Sequence, residues 1–155
     1  MNKYNLTVNG KNISVEAEPN TPFIYILRND LKLKGTKYGC GLEQCGACLV
    51  ISDGEAVYSC STPISDFNDK NIITIEGISN LEELHPIQKA FVEERAAQCG
   101  YCIPGVIISS KVLLDNNPRP NEDAVREALS RNLCRCGTHN SIIKAVLKAS
   151  QEMNN

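Results

Sequence analysis

Eight cysteines constrain this 155-residue chain more than any other feature of its sequence. They form two sets of four, with 38 cysteine-free residues between Cys60 and Cys99. The start of the chain lacks a secretory signal pattern, which predicts a cytoplasmic protein, exported only together with a signal-bearing partner. Reducing thiol pools make disulfides rare in that compartment. We therefore expect two metal sites, one formed by Cys40, Cys45, Cys48 and Cys60 and the other by Cys99, Cys102, Cys134 and Cys136.

Charge and hydropathy argue against two classes of partner. The formal net charge is −2, and Lys and Arg are scattered instead of forming a basic block. Binding to nucleic acid is therefore not expected, because it requires clustered positive charge. No apolar run approaches the roughly 18 residues that a membrane-spanning helix needs. We therefore expect no membrane insertion.

The first half of the chain has the alternation of a small sheet. Apolar and polar residues alternate in YNLTV and NISVEA, and Asn9-Gly10 between them predicts a type I′ hairpin. Thr21 is predicted to cap a helix that has Pro22 at its first position. Three further strands are predicted in CLVIS, EAVYSC and NIITIEG, with a turn at Asp53-Gly54 between the first two and the last ending near Gly77. The order β-β-α-loop-β-β-β suits a sheet packed on one helix.

The second half has the pattern of a helical bundle. Apolar residues recur at helical spacing over 84–97, 104–115, 122–132 and 139–151, with Asn121 as an N-cap candidate. Four helices of this length joined by short loops favour a four-helix bundle. The chain is thus predicted to be an α+β protein of two domains, 1–78 and 79–155.

The first set of cysteines has the spacing C-x4-C-x2-C-x11-C. Its first three spacings are those of plant-type [2Fe–2S] ligation. A loop wrapped around such a cluster needs small residues and unusual φ angles, which Gly39, Gly41 and Gly46 can supply. A structural zinc site is the alternative, but zinc sites more often use two C-x2-C knuckles. The spacing favours iron–sulfur.

The second set combines C-x2-C at Cys99 and Cys102 with C-x-C at Cys134 and Cys136. Two thiolates separated by one residue fit a single tetrahedral ion poorly. Pro104 can start a helix directly after the first pair, and a helix N-terminus favours an anionic group. Iron–sulfur is again favoured, although spacing alone leaves zinc open.

Three motifs, GCGLEQCGACLV with its later SC, QCGYCIPG and NLCRCG, occur in that order. Together they resemble the small iron–sulfur subunit of the xanthine dehydrogenase/aldehyde oxidase family of molybdenum hydroxylases. The resemblance covers nearly the whole chain and all eight cysteines. It implies an N-terminal β-grasp domain like plant ferredoxin and a C-terminal four-helix domain. Each would hold one [2Fe–2S] cluster on its four cysteines.

The resemblance also implies a role and partners. A separate large subunit would hydroxylate its substrate at a molybdenum–molybdopterin centre with oxygen from water, so this chain would be non-catalytic and carry electrons. The second site would be proximal to the pterin, and the first would be distal, nearer FAD or another acceptor. Gln98 matches a family position that hydrogen-bonds the pterin, and Cys136 lies on the pterin-facing side in relatives. The alternatives are a free-standing two-cluster ferredoxin and a zinc-stabilised interaction module.

One departure from the commoner family pattern bears on the acceptor. Gly137, Thr138 and His139 follow Cys136, where Thr-Gly-Tyr is more frequent in the family. The chain is more similar to the branch containing isoquinoline 1-oxidoreductase and nicotinate-type dehydrogenases. Members of that branch often reduce a cytochrome and have no flavin subunit. The expected acceptor is therefore FAD in a further subunit or a cytochrome.

Overall fold

The computed structural model describes residues 1–80 and 82–155. Its described N-terminal half contains a mixed five-stranded sheet of order β2-β1-β5-β3-β4. β1 runs antiparallel to β2 and parallel to β5, and β3 runs antiparallel to both β4 and β5. The strands are Asn2–Val8 (β1), Lys11–Ala17 (β2), Leu49–Ser52 (β3), Glu55–Tyr58 (β4) and Asn71–Ile73 (β5).

Both hairpins turn on two residues with left-handed backbone. Asn9 and Gly10 have φ of 50° and 76°, and Asp53 and Gly54 have φ of 48° and 91°. Positive φ at both central residues is the signature of a type I′ turn, whose twist matches that of the flanking strands. The predicted hairpins are therefore present at the predicted residues.

The helix of the first half begins later than predicted. An α-helical turn, α1 (Phe23–Tyr25), continues as a π-helical segment, Ile26–Asp30. Thr21 was expected to be its N-cap, but Pro22 takes that position and no side chain caps the helix. The Thr21 carbonyl instead accepts a hydrogen bond from the Ile64 backbone N–H at 2.9 Å, next to a β-bridge between Pro22 and Pro63.

The core of the first half lies between this helix and the sheet. The Phe23 and Phe67 rings stack with centroids 4.1 Å apart, and Leu6, Val50 and Ile72 pack around them. The predicted last strand ends at Ile73 instead of Gly77. The Thr74 backbone N–H donates to the Asn9 side chain, and Ile75–Gly77 forms a 3-10 turn. That turn leads the chain away from the sheet.

The described part of the second half contains four helices, as predicted. They are Pro86–Glu93 (α2), Ile103–Asn116 (α3), Glu122–Ala128 (α4) and His139–Met153 (α5). Asn121 caps α4 by accepting from the Ala124 N–H at 2.9 Å. α2 is shorter than predicted at both ends: a capping box of His85 and Gln88 starts it at Pro86, and it ends at Glu93, before the left-handed backbone of Arg95. Apolar side chains of α2, α3 and α5 form a shared core.

Helix α3 joins the two halves. Ile108 on α3 packs against Leu49 and Ile51 of β3. Near the start of α3, Gly105 approaches the Gly46 carbonyl so closely that an added Cβ would lie 1.9 Å from that oxygen. The sheet and the helical half therefore contact each other directly, next to residues of both cysteine sets.

Candidate metal centres

The first cysteine set lies on two loops that meet beside the sheet. Cys40 and Cys45 belong to the long loop between α1 and β3, and Cys48 immediately precedes β3. Cys60 follows β4, which pairs with β3 and so places Cys60 beside Cys48. Cys48 and Cys60 are buried, whereas Cys40 and Cys45 are half-buried. The fold thus brings these four cysteines into one neighbourhood.

Backbone N–H groups surround the Cys40 sulfur. The N–H groups of Leu42 and Gln44 each lie 3.3 Å from Cys40 Sγ, and the Cys40 N–H lies 3.4 Å from Cys45 Sγ. Left-handed φ values of 69° at Gly41 and 57° at Glu43 turn the loop around the thiol. Burial alone would raise the pKa of Cys40, but these N–H donors outweigh it and lower the pKa to about 7. Cys40 therefore reaches the thiolate form, which binds metal, near neutral pH.

Cys48 lies in the opposite environment. Burial, and contact with the Cys60 thiol, raise the pKa of Cys48 to about 12. A thiolate in this apolar setting is costly unless a cationic group binds it directly.

The second set also contains a buried thiol with a raised pKa. Burial raises the pKa of Cys102 to about 12, with a further contribution from Cys134.

The second cysteine set lies on the loops that precede α3 and α5. Cys99 and Cys102 lie just before α3, and Cys134 and Cys136 lie between α4 and α5. Cys134 Sγ is 3.3 Å from the Thr138 hydroxyl. Burial opposes the thiolate here, but hydrogen bonds from Thr138 and the Cys136 backbone outweigh it and lower the pKa of Cys134 to about 6. Thr138 occupies the N-cap position of α5 but makes no side-chain cap, and its hydroxyl lies beside this sulfur instead.

Six of the eight cysteines form three thiol–thiol contacts. The side chains of Cys40 and Cys45 interact, as do those of Cys48 and Cys60, and those of Cys102 and Cys134. In the described residues, no three His, Cys, Asp or Glu side chains are arranged around a single metal ion. Pairs of thiols suit a two-iron cluster, in which each iron takes two protein ligands. The donor chemistry of both sets therefore fits [2Fe–2S].

A buried donor between the two sets also fits a sulfur-rich group. Among residues 1–80 and 82–155, Asn132 Nδ2 is buried without a hydrogen-bond partner. It lies against Gly46, between Cys45 and Cys48, and two residues before Cys134. Buried amide donors are costly to leave unpaired. An inorganic sulfide or thiolate is an acceptor that this position could use.

Comparison with known proteins finds one iron–sulfur family in each half of the chain. A "2Fe-2S iron-sulfur cluster binding domain" matches residues 6–72, and a "[2Fe-2S] binding domain" matches residues 74–147. One of the nicotinate dehydrogenase subunits of Pseudomonas putida is 52% identical over 146 residues, which are 94% of this chain and 93% of the relative. The chain belongs to the small [2Fe–2S] subunits of the molybdenum hydroxylase family.

Two further relatives show how this small iron–sulfur subunit occurs in the family. The alpha subunit of isoquinoline 1-oxidoreductase from Brevundimonas diminuta is 42% identical over 146 residues, 94% of this chain and 95% of that one. The structure of aldehyde oxidoreductase from Desulfovibrio gigas superimposes with a TM-score of 0.95 and 41% identity. It covers 99% of this small chain, which in turn spans only 17% of that much longer one.

The two residues predicted to face the pterin lie on the surface of this small subunit. Gln98 is exposed on the loop before Cys99, and Cys136 is half-buried on the loop before α5. Both can be reached by a partner. The roles of Gln98, Cys136 and the eight cysteines as ligands or contacts stay predictions.

Sequence reasoning missed the contacts that link the two cysteine sets. The Leu133 backbone N–H donates to the Cys45 carbonyl at 3.0 Å, and the Tyr101 hydroxyl donates to the Tyr38 carbonyl at 2.5 Å. Arg131 reaches the Glu43 carbonyl with its guanidinium. Each of these residues lies near a cysteine in sequence, which was the available signal. Their partners are 63 to 88 residues away, so no local pattern identified them.

Proposed function

We propose that this chain is the electron-transfer subunit of a molybdenum hydroxylase, relaying electrons from a large molybdopterin-binding subunit through two [2Fe–2S] sites to an acceptor. One observation carries the proposal most strongly: the loops that carry the two cysteine sets are in direct contact. Cys45 of the first quartet accepts a hydrogen bond from Leu133, the residue before Cys134 of the second. Bound [2Fe–2S] clusters would each accept and release one electron at a time.

The residues of this chain would hold the sites at a fixed separation. Cys40, Cys45, Cys48 and Cys60 are proposed to bind the first cluster, and Cys99, Cys102, Cys134 and Cys136 the second. Gly46 and Gly105 allow the first loop and the start of α3 to touch. The Leu133–Cys45 hydrogen bond connects the backbones of the two sites. Such a rigid contact suits electron transfer, since neither site needs to move for electrons to pass.

The proposed partner is a large catalytic subunit carrying molybdopterin. Its docking face would include the loop of Gln98 and the loop of Cys136, which are accessible in this chain. Gln98 would hydrogen-bond the pterin, and the second site would be proximal to it. Eight free thiols suit a reducing compartment such as the cytoplasm. Within the described residues, no helix is long and apolar enough to cross a bilayer.

The first site is proposed to face the acceptor, which is FAD in a further subunit or a cytochrome. Leu42 in the Cys40–Cys45 loop is 68% exposed, and Tyr25 and Tyr38 form an exposed stacked pair nearby. An apolar surface at the edge of a redox site suits docking of another protein. Identifying that protein would show whether the acceptor is FAD in a further subunit or a cytochrome.

Co-purification tests the proposed assembly. The chain should be expressed together with a large molybdopterin-binding subunit encoded beside it and purified through a tag on the large subunit. We expect a stable complex whose visible absorption bleaches when the substrate of the large subunit is added. A chain that elutes alone and is reduced equally well by unrelated reductases would instead be a free ferredoxin. A colourless chain that contains zinc would be an interaction module.

A further inference from the structure

Arg131 lies in the helical half but contacts the loop of the first cysteine set. It follows α4 and stands three residues before Cys134. Its Nη2 donates a hydrogen bond to the backbone carbonyl of Glu43, 88 residues earlier in the chain. Glu43 lies between Cys40 and Cys45. A side chain beside the second quartet therefore holds the loop that carries the first.

The guanidinium of Arg131 also contacts the segment that leads to Cys60, the last cysteine of the first site. Its central carbon lies 5.0 Å from the centroid of the Tyr58 ring, a cation–π distance. Tyr58 ends β4, two residues before Cys60. Arg131 thus touches both segments that supply cysteines to the first site. Planar guanidinium suits this double contact better than an ammonium group, because it can stack and donate at once.

Glu43 needs such a contact because its backbone is left-handed. Its φ is 57°, which non-glycine residues adopt at some cost. The Glu43 carboxylate accepts a hydrogen bond from the Ser61 hydroxyl, next to Cys60. With its carbonyl held by Arg131 and its carboxylate by Ser61, Glu43 fixes the loop on which Cys40 is surrounded by N–H groups. Loss of Arg131 would release one of these two restraints.

Arg131 makes no salt bridge with the residues that the structure describes, and its guanidinium instead contacts a backbone carbonyl and an aromatic ring. Among the described residues, the ion pairs involve other cations, such as Arg126 with Glu122 and Lys148 with Glu93. The positive charge of Arg131 therefore lies beside the first site at Tyr58, while the Glu43 carboxylate lies next to Ser61. Reduction adds negative charge at that site, and a nearby cation stabilises the reduced form.

We propose that Arg131 is a positioning residue supplied by the helical half to the first [2Fe–2S] site. It fixes the Cys40–Cys45 loop and raises the reduction potential of that site relative to the second. This inference rests on the proposed function, since it requires the first quartet to hold a cluster. Arg131 lies outside the cysteine motifs. Through this residue, the sequence next to the second site influences the first site.

Redox titration of the full chain with both sites loaded tests the role of Arg131. Arg131→Gln removes the charge and the stacking, and Arg131→Lys keeps the charge but loses the planar fork. Arg119→Gln is the matched control, because exposed Arg119 lies beside the C-terminal end of α5. α5 starts next to the second site and has 15 residues, about 22 Å in length. Electron paramagnetic resonance follows each site separately, with Cys60→Ser and Cys136→Ser used to assign the two signals.

We expect the reduced-to-oxidised ratio of the first site, measured at the wild-type midpoint potential, to fall at least about threefold in Arg131→Gln. Arg131→Lys should keep a ratio closer to wild type, and Arg119→Gln should leave it unchanged. Loss of iron from the first site alone in Arg131→Gln would also support the loop-fixing role.

Two results would overturn the inference. An unchanged midpoint of the first site in Arg131→Gln, with iron retained, would show that Arg131 does not act on that site. Equal shifts in Arg131→Gln and Arg119→Gln would show only a general charge effect. A wild-type chain without iron at either site would overturn the proposed function as well, so the two failures are distinguishable.

Discussion

At the scale of single residues, each cysteine set pairs a stabilised thiolate with a buried thiol. N–H and hydroxyl donors lower the pKa of Cys40 to about 7 and of Cys134 to about 6, against the opposing effect of burial. Burial raises the pKa of Cys48 and of Cys102 to about 12. The first type of thiol is ready to bind metal, whereas the second gains the most from being bound. A bound metal would therefore supply the ionisation of the buried thiols in both proposed sites.

Gly105→Ala is expected to lower the stability of the chain, although replacing glycine by alanine in a helix usually raises it. Alanine is favoured over glycine inside a helix by up to about 1 kcal/mol. In this helix, however, the new methyl group would lie 1.9 Å from the Gly46 carbonyl oxygen. Two backbone segments must separate, and overpacking of this kind costs about 1–3 kcal/mol or more. We expect a net loss of stability, measured as a lower urea midpoint of the loaded chain.

Gly10→Ala is the control for that substitution. Its added methyl group meets no atom within 4 Å, so the change costs only the strain of a φ of 76°. We expect a loss of about 1–2 kcal/mol and unchanged iron content. Gly105→Ala should in addition reduce the iron content, because it displaces the loop between Cys45 and Cys48. A Gly105→Ala chain as stable and iron-rich as wild type would contradict the described contact.

At the scale of secondary-structure elements, the sequence predicts those turns and helices that depend only on neighbouring residues. The Asn9-Gly10 and Asp53-Gly54 turns appear where expected, since their residues tolerate the required φ angles. The four helices of the second half also appear, because their apolar spacing is regular. Their bounds were less predictable. The start of α1 depends on pairing of the Thr21 and Ile64 backbones, which are 43 residues apart, so tertiary contact decides it.

The start of α2 gives a pH-dependent prediction. His85 Nδ1 accepts a hydrogen bond from the Ile87 N–H at 3.2 Å, which requires neutral imidazole. Burial is the main effect that lowers the pKa of His85, and the positive charge of Lys111 lowers it further. The negative charge of Asp115 partly opposes this shift. Since the folded-state pKa lies below the ordinary value of about 6.5, the cap contributes fully above that pH. Its contribution is lost as the pH falls through the folded-state pKa.

His85→Ala should lower the free energy of unfolding by about 1 kcal/mol at pH 7.5, as expected for loss of an N-cap. The difference between wild type and His85→Ala should shrink as the pH falls below about 6.5. Gln88→Ala is the control, because Gln88 accepts from the His85 backbone N–H and forms the other half of the capping box without titrating. Its destabilisation should stay constant over the same range. A pH-independent effect of His85→Ala would contradict the account.

At the scale of the whole molecule, two halves with different architectures share one interface. Ile108 of α3 packs on β3, Gly105 meets Gly46, and Leu133 is hydrogen-bonded to Cys45. Cys45 at this interface belongs to a motif whose spacing predicts a metal site, and that role stays a prediction. Arg131 and Asn132 were not predictable, since their significance depends on which segment of the other half they touch. Only the folded chain places Asn132 Nδ2 against Gly46.

The central claim is that each thiol quartet binds a pair of sulfide-bridged irons. Iron, acid-labile sulfide and zinc analysis of the full chain, purified without oxygen, tests it most directly. We predict a coloured protein with about four irons and four sulfides per chain and almost no zinc. A colourless chain that contains zinc, with almost no iron or sulfide, would contradict the account.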